Sequence, residues 1–197
     1  MQQRSRRLAL TVNFHFWRPC NMACKFCFAG FGDVDRESLL RKRQLVALTR
    51  TLAARFAKIN FVGGEPTLCP YLPDLVREAK SAGAITSIVT NGTLLDGPRL
   101  AAFRGLLDMV GLSMDSAEPA TNRATGRVLR TSREPLDAAS YHRIADLVHH
   151  FGMALKINTV VSAANVHEDL TPHYLRMRPT RVKLLQLLPI AGENDRA

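Results

Sequence analysis

Three thiols within eight residues carry the most chemistry in this sequence. Cys20, Cys24 and Cys27 form C-x3-C-x2-C, with Asn21, Met22, Ala23, Lys25 and Phe26 between them. Each iron of a cubane cluster takes one thiolate besides its three sulfides, so three cysteines cap three irons and leave the fourth open to a chelating ligand. A zinc site is the alternative, with His15 completing a set of four ligands, although zinc modules more often pair their ligands as two separate knuckles. Thiols gathered in this way are not a disulfide framework and point to a reducing compartment. Cys69, in Leu68-Cys69-Pro70, stands apart and reads as a small buried hydrophobe. A second compact motif, Gly63-Gly64-Glu65-Pro66, is on its own a tight strand-to-helix turn whose glycines allow close backbone approach.

These residues need a frame to hold them. With 197 residues and 46% hydrophobic content the chain has the makings of one core, and no shift of composition divides it, so residues 1–197 read as a single domain. The basic start at Arg4, Arg6 and Arg7 leads into a segment broken by Thr11, Asn13 and His15, which does not suit a secretory signal. No run approaches the ~18 apolar residues needed to span a bilayer. A cytoplasmic protein is the expectation. The net charge of +10 calls for anionic partners without naming them: nucleic acid, acidic membrane and phosphorylated small molecules all qualify.

Short apolar segments alternate with helical ones. Strands are predicted at Ala9–Phe16, Lys58–Val62, Ile85–Thr90, Met109–Met114, Ala154–Val161 and Arg181–Leu188. Helices are predicted at Arg36–Phe56, Leu72–Ser81, Asp96–Leu107, Pro135–Phe151 and Asp169–Met177. This β/α alternation argues for a parallel α/β sheet, curved into a partial barrel or open. A strand buried on both faces would read as a continuous apolar run, and these do not. Leu10, Val12, Phe14 and Phe16 fall on one face of the first strand, with Thr11, Asn13 and His15 on the other. The same period separates Ile59 and Phe61 from Lys58 and Asn60, Leu155 and Ile157 from Lys156 and Asn158, and Val182 and Leu184 from Arg181 and Lys183. If the apolar faces pack on helices, the other faces line a lumen in which Asp115 opposes the cations Lys58, Lys156, Arg181 and Lys183. Unpaired buried charge is costly, so such a lumen should be wet or should hold an anion. The bland alternative puts these cations at strand ends, snorkelling to solvent.

The two motifs together, C-x3-C-x-aromatic-C after the first strand and Gly-Gly-Glu-Pro after the second, resemble the signature of radical S-adenosylmethionine enzymes. That resemblance implies a partial (βα)6 barrel, a [4Fe-4S] cluster on Cys20, Cys24 and Cys27, and S-adenosylmethionine chelated at the open iron and cleaved to a 5′-deoxyadenosyl radical. Val12-Asn13-Phe14-His15-Phe16, Lys58-Ile59-Asn60-Phe61, Thr125-Gly126-Arg127, Lys156-Ile157-Asn158 and Gly192-Glu193-Asn194 further resemble the viperins, from about Leu10 to Asn194.

Viperins are antiviral enzymes that convert a ribonucleoside triphosphate to its 3′-deoxy-3′,4′-didehydro form. The resemblance implies hydrogen abstraction from C4′, loss of the 3′-hydroxyl as water and a one-electron reduction. It assigns Gly63, Gly64 and Glu65 to the amino group of adenosylmethionine, Asn91 and Ser113 to its carboxylate or ribose, and Phe26 to its adenine. It assigns the triphosphate to Asn13, Lys58, Arg127, Lys156, Asn158, Arg181 and Lys183. Roughly four negative charges on the ligand would meet the strong, charge-assisted kind of hydrogen bond. Read without the family, Asn91 and Ser113 are turn formers, Phe26 a buried ring, and Arg127 part of a solvated cluster with Arg123, Arg130 and Arg133.

The expected partners are CTP, UTP or GTP and an electron donor such as flavodoxin or ferredoxin. A monomer without membrane or nucleic-acid contacts is expected. Val62 stands where viperins usually carry serine, and the family's C-terminal closing segment is expected to be absent. A radical enzyme acting on RNA or a peptide is the rival within the superfamily, and a zinc-binding interaction module is the rival outside it.

Overall fold

The structure, a computed structural model, describes residues 8–28 and 39–195. Six strands, β1 (Leu8–Trp17), β2 (Phe56–Gly63), β3 (Ile85–Thr90), β4 (Met109–Ser113), β5 (Ala154–Val161) and β6 (Arg181–Gln186), form one sheet in sequence order. Every neighbouring pair is parallel. The sheet curls into a half-barrel, the partial (βα)6 arrangement expected from the alternation.

Six helices accompany it: α1 (Lys42–Arg55), α2 (Leu72–Ser81), α3 (Gly97–Ala102), α4 (Pro119–Ala124), α5 (Ala138–His150) and α6 (Thr171–Met177). The period-two reading of the strands is carried into the packing. Ile59, Phe61, Ile88, Val110, Leu112, Leu155 and Ile157 are wholly buried on the helix side, against Leu45, Leu75, Val76, Leu100, Tyr141 and Val148. Each such side chain contributes about 1.5–3 kcal/mol by leaving water, which makes the helix-side face the anchor of the sheet. No helix among the described residues is long and apolar enough to cross a membrane.

The differences from expectation have local causes. The first residues of the helix predicted at Arg36–Phe56, up to Ser38, lie outside the described residues. The helix itself ends at Arg55, because Phe56 already turns extended to open β2. Asp96 caps α3 through Arg99 N at 2.8 Å, but the helix stops at Ala102 instead of reaching Leu107, and Gly105 then takes a left-handed conformation at φ +72°. Helix α4 was not anticipated, since Pro119–Ala124 has no apolar period. The outer face of β6 departs most: Leu184 is 63% exposed and Val182 37%, so this apolar pair does not pack on a helix among the described residues.

Candidate active site

The loop after β1 carries the three thiols, and its shape is imposed from both sides. On one side it pairs with the segment following α4. Ala23 N donates to Val128 O (3.0 Å), Lys25 N to Thr125 O (3.0 Å) and Arg130 N to Asn21 O (2.8 Å). On the other side the end of β2 runs flush beneath it, with Gly64 N donating to Trp17 O and Glu65 N to Pro19 O, both at 2.8 Å. A Cβ on Gly63 would stand 2.0 Å from Trp17 O, and one on Gly64 2.2 Å from Arg18 O. The double glycine therefore admits the protein's own backbone, whatever else approaches it.

Glu65 is wholly buried, and its carboxylate is already engaged. Oε1 accepts from Thr67 N, Thr67 Oγ1 and Thr90 Oγ1, and Oε2 accepts from Asn91 N at 2.7 Å. Burial pushes this carboxyl upward in pKa, and those four donors pull it back. It braces the ends of β2 and β3 beneath the site. Asn91 is similarly committed. Its Nδ2 donates to Asn21 Oδ1 (2.8 Å) and its Oδ1 accepts from Thr93 N and Oγ1, which ties the cysteine loop to the end of β3.

One cavity of about 610 Å³ takes in all three cysteines, Phe26, both glycines, Asn91 and Ser113. Its volume is in the range of ligand and cofactor clefts. From the lumen it also takes in Asn13, Asn158, Lys156, Lys183 and Arg127, while Val62 forms part of its wall. The sheet register puts Lys156 beside Arg181 and Asn158 beside Lys183. Lys58 and Arg181 do not line this cavity, but they lie close enough to Lys156 to help depress its pKa. Burial is the first cause of that depression, and the three neighbouring cations add to it. The pKa of Lys58 is lowered too, by burial and by Arg181. Of the four cations expected in the lumen, Lys156 and Lys183 line the cavity, Lys58 stands near Lys156, and Arg181 lies at the exposed start of β6.

Two expectations about charge need correction. Asp115 does not oppose those four cations, since its Oδ2 lies 2.9 Å from Nη1 of Arg127. Arg127, in turn, is neither a solvated arginine nor grouped with the lysines. It is 4% exposed, donates to Ser113 O at 2.6 Å, and reaches the thiol side of the cavity at Cys24 Sγ, 3.9 Å away.

Several residues without a predicted role contribute as well. Asn60 bridges Asn13 and Ser87 across the lumen, donating to Asn13 Oδ1 at 2.9 Å and accepting from Ser87 Oγ at 2.8 Å. Its alternation with Ile59 and Phe61 was the available signal. Gly111 leaves room for the Lys156 side chain, whose Cε would lie 3.0 Å from a Cβ there. Asn194, 5% exposed, ties the last turn to the cysteine loop by donating to Phe26 O at 3.1 Å.

The donor set fits a cluster better than a single ion. All three thiols line the same cavity, and Cys20 and Cys24 both feel the charge of Cys27. His15 lines the same cavity and packs edge-on against Phe28, with ring centroids 5.8 Å apart. A four-iron body capped at three corners is what such spacing suits.

Comparison with known proteins agrees. The Radical SAM superfamily model matches residues 15–161. The chain belongs to the radical SAM superfamily. That superfamily's cofactors are a [4Fe-4S] cluster and S-adenosylmethionine. The chain is also 44% identical over 190 residues to an S-adenosylmethionine-dependent nucleotide dehydratase of Lacinutrix mariniflava, and 44% identical to one of Flammeovirga pacifica. Each match covers 94% of this chain but only 40% and 65%, respectively, of those relatives. Streptococcus suis SuiB, solved bound to S-adenosylmethionine, superposes with a TM-score of 0.75 at 17% identity. That match covers 94% of this chain and 42% of SuiB, and it confirms the radical SAM fold.

Proposed function

We propose that the chain is the radical-forming core of a nucleotide dehydratase that takes CTP, UTP or GTP to its 3′-deoxy-3′,4′-didehydro form in antiviral defence. The carrying observation is a single cavity with three thiols at one end and two lysines, backed by two further cations, at the other. The naming of the 44%-identical relatives supports the same reading.

When bound, the cluster and adenosylmethionine would supply a 5′-deoxyadenosyl radical. The chain's part is placement. Lys156 and Lys183, with Lys58 and Arg181 behind them, receive the triphosphate, and their mutual repulsion is relieved by its arrival. Asn13 and Asn158 add neutral donors and acceptors beside the sugar and phosphates. Gly63, Gly64, Asn91, Ser113 and Phe26 line the cofactor end, with Glu65 acting through the backbone it braces. Fixing the phosphates fixes the ribose, and that positioning supplies much of the rate. The core acts as a monomer and takes its electrons from a flavodoxin or ferredoxin.

The test is anaerobic reconstitution with iron and sulfide, followed by reductant, adenosylmethionine and each ribonucleotide in turn. Formation of 5′-deoxyadenosine that depends on one nucleotide, with a product lighter by one water, is the expected result. Turnover of adenosylmethionine indifferent to all nucleotides would overturn the substrate assignment.

A further inference from the structure

Arg127 is a deeply enclosed cation, 4% exposed, held by the end of β4 and by α5 with one side-chain contact to the cysteine loop. Nη2 donates to Ser113 O at 2.6 Å, and Nε donates to the hydroxyl of the fully buried Tyr141 at 3.4 Å. Nη1 lies between two sulfur and oxygen neighbours, Asp115 Oδ2 at 2.9 Å and Cys24 Sγ at 3.9 Å. The contact with Asp115 is ionic without hydrogen-bond alignment, for no donor is directed at Oδ2. Asp115 is itself fixed, because its Oδ1 accepts from Val160 N and its backbone oxygen from Asn165 Nδ2, both at 2.7 Å.

The backbone around Arg127 is held to the same loop. Besides the three bonds joining segments 21–25 and 125–130, Lys25 Nζ donates to Ala124 O at 2.9 Å. A Cβ on Gly126, which takes φ +72°, would stand 2.6 Å from Ala23 O. That pairing fixes the backbone from which the Arg127 side chain reaches Cys24.

We propose that Arg127, aimed by Asp115 and Tyr141, is a positioning residue that lays a permanent positive charge on the Cys24 thiolate and raises the reduction potential of the cluster. The proposal rests on the reading of Cys20, Cys24 and Cys27 as cluster ligands. The physical reason is charge balance. Taking up one electron makes the cluster and its thiolates more negative by one unit, and a desolvated cation beside one sulfur stabilises that form more than the oxidised one. Hydrogen bonds and charges around ligating sulfurs tune such centres generally. Asp115 shares Nη1 with the sulfur, so it orients the cation and partly offsets it.

The experiment is an anaerobic potentiometric titration, followed by electron paramagnetic resonance, of reconstituted protein free of adenosylmethionine and nucleotide. Three proteins are compared with the parent: Asp115→Asn, Arg127→Lys, and the double variant Asp115→Asn/Arg127→Met, which removes both charges together and leaves no lone buried ion. The expected midpoint shifts have opposite signs, positive for Asp115→Asn and negative for the double variant, with Arg127→Lys between parent and double variant. Equal potentials at equal iron and sulfide content would overturn the proposal, as would shifts of one sign in all variants. Unchanged potentials with weakened adenosylmethionine binding would assign Arg127 to the cofactor instead. Cluster loss from the folded double variant supports the proposal if Arg127→Lys retains the cluster, and counts against it if both lose it. A parent protein that takes up no cluster would instead sink the underlying reading of the cysteines.

Discussion

Adding one methyl group at Gly64 tests whether the double glycine is there for the protein's own packing. The Cβ of Gly64→Ala would stand 2.2 Å from Arg18 O, 2.5 Å from Pro19 O and 2.8 Å from Pro19 C. Ordinary contacts lie near ~3.5 Å, so the strand end and the loop must part by about 1 Å. All three neighbours are backbone, and no rotamer change relieves them. The two hydrogen bonds across this seam, Gly64 N to Trp17 O and Glu65 N to Pro19 O, contribute about 1 kcal/mol each, and overpacking adds about 1–3 kcal/mol. The expected loss of stability is therefore about 3–5 kcal/mol, read from urea unfolding of the cluster-free protein. Because Cys20 follows Pro19 directly, iron bound per chain after reconstitution should fall as well. Gly97→Ala is the control: nothing lies within 4 Å of its Cβ at the start of α3, and it should be neutral or slightly stabilising. A Gly64→Ala protein within 1 kcal/mol of the parent that takes up full iron would refute the reasoning.

Lys156→Met should act in two directions. Loss of one charge-assisted contact, about 1.5–3 kcal/mol, weakens binding of inorganic triphosphate to the reconstituted protein by about 10- to 100-fold in calorimetry. The unliganded protein should be no less stable, since a cation repelled by Lys58, Lys183 and Arg181 has been removed. Unaltered triphosphate affinity would remove Lys156 from the proposed floor. The pH dependence follows with its sign. The pKa of Lys156 in the free protein is depressed below its ordinary 10.5, first by burial and then by its neighbours, while a bound triphosphate favours the protonated form. Affinity should be full below the depressed pKa and should fall as pH rises through it, with proton uptake on binding in that window. An affinity that is flat until the ordinary lysine range would contradict this.

Much of the frame was legible because it rests on period-two burial. Thr86, Ile88 and Thr90 lie to one side of β3, and Leu155 and Ile157 alternate with Lys156 and Asn158 on β5, so both strands were bounded correctly by pattern alone. Helix α4 was not legible, because a six-residue helix begun by a proline and buried mainly through Asn122 has no apolar face to read. The site divided in the same way. Thiol spacing and glycines are local properties and survive in the sequence, whereas the saturation of Glu65 depends on Thr90 and Asn91 arriving from a different strand. The burial of Arg127 is hidden for a related reason: four arginines within eleven residues look alike until the fold buries one of them.

The lumen holds two kinds of positive charge, and the difference between them explains how one cavity can serve two ligands. Lys156 has only cations among the charges that act on it, which makes it receptive to an anion, while Lys58 lies between Arg181 and Asp108. Arg127 has a carboxylate at 2.9 Å and a carbonyl at 2.6 Å, so its charge is already matched and its geometry is spent. A buried ion pair contributes little net stability, because desolvation consumes most of the Coulombic gain, but losing one member leaves an uncompensated charge. Asp115 therefore does more than orient its partner. Without it, a desolvated guanidinium near the thiols would compete with the lysines for the incoming polyphosphate. With Asp115 in place, the phosphate-seeking charge lies with the lysines, and the cysteine loop keeps a cation whose other side-chain neighbours are Tyr141 and Cys24.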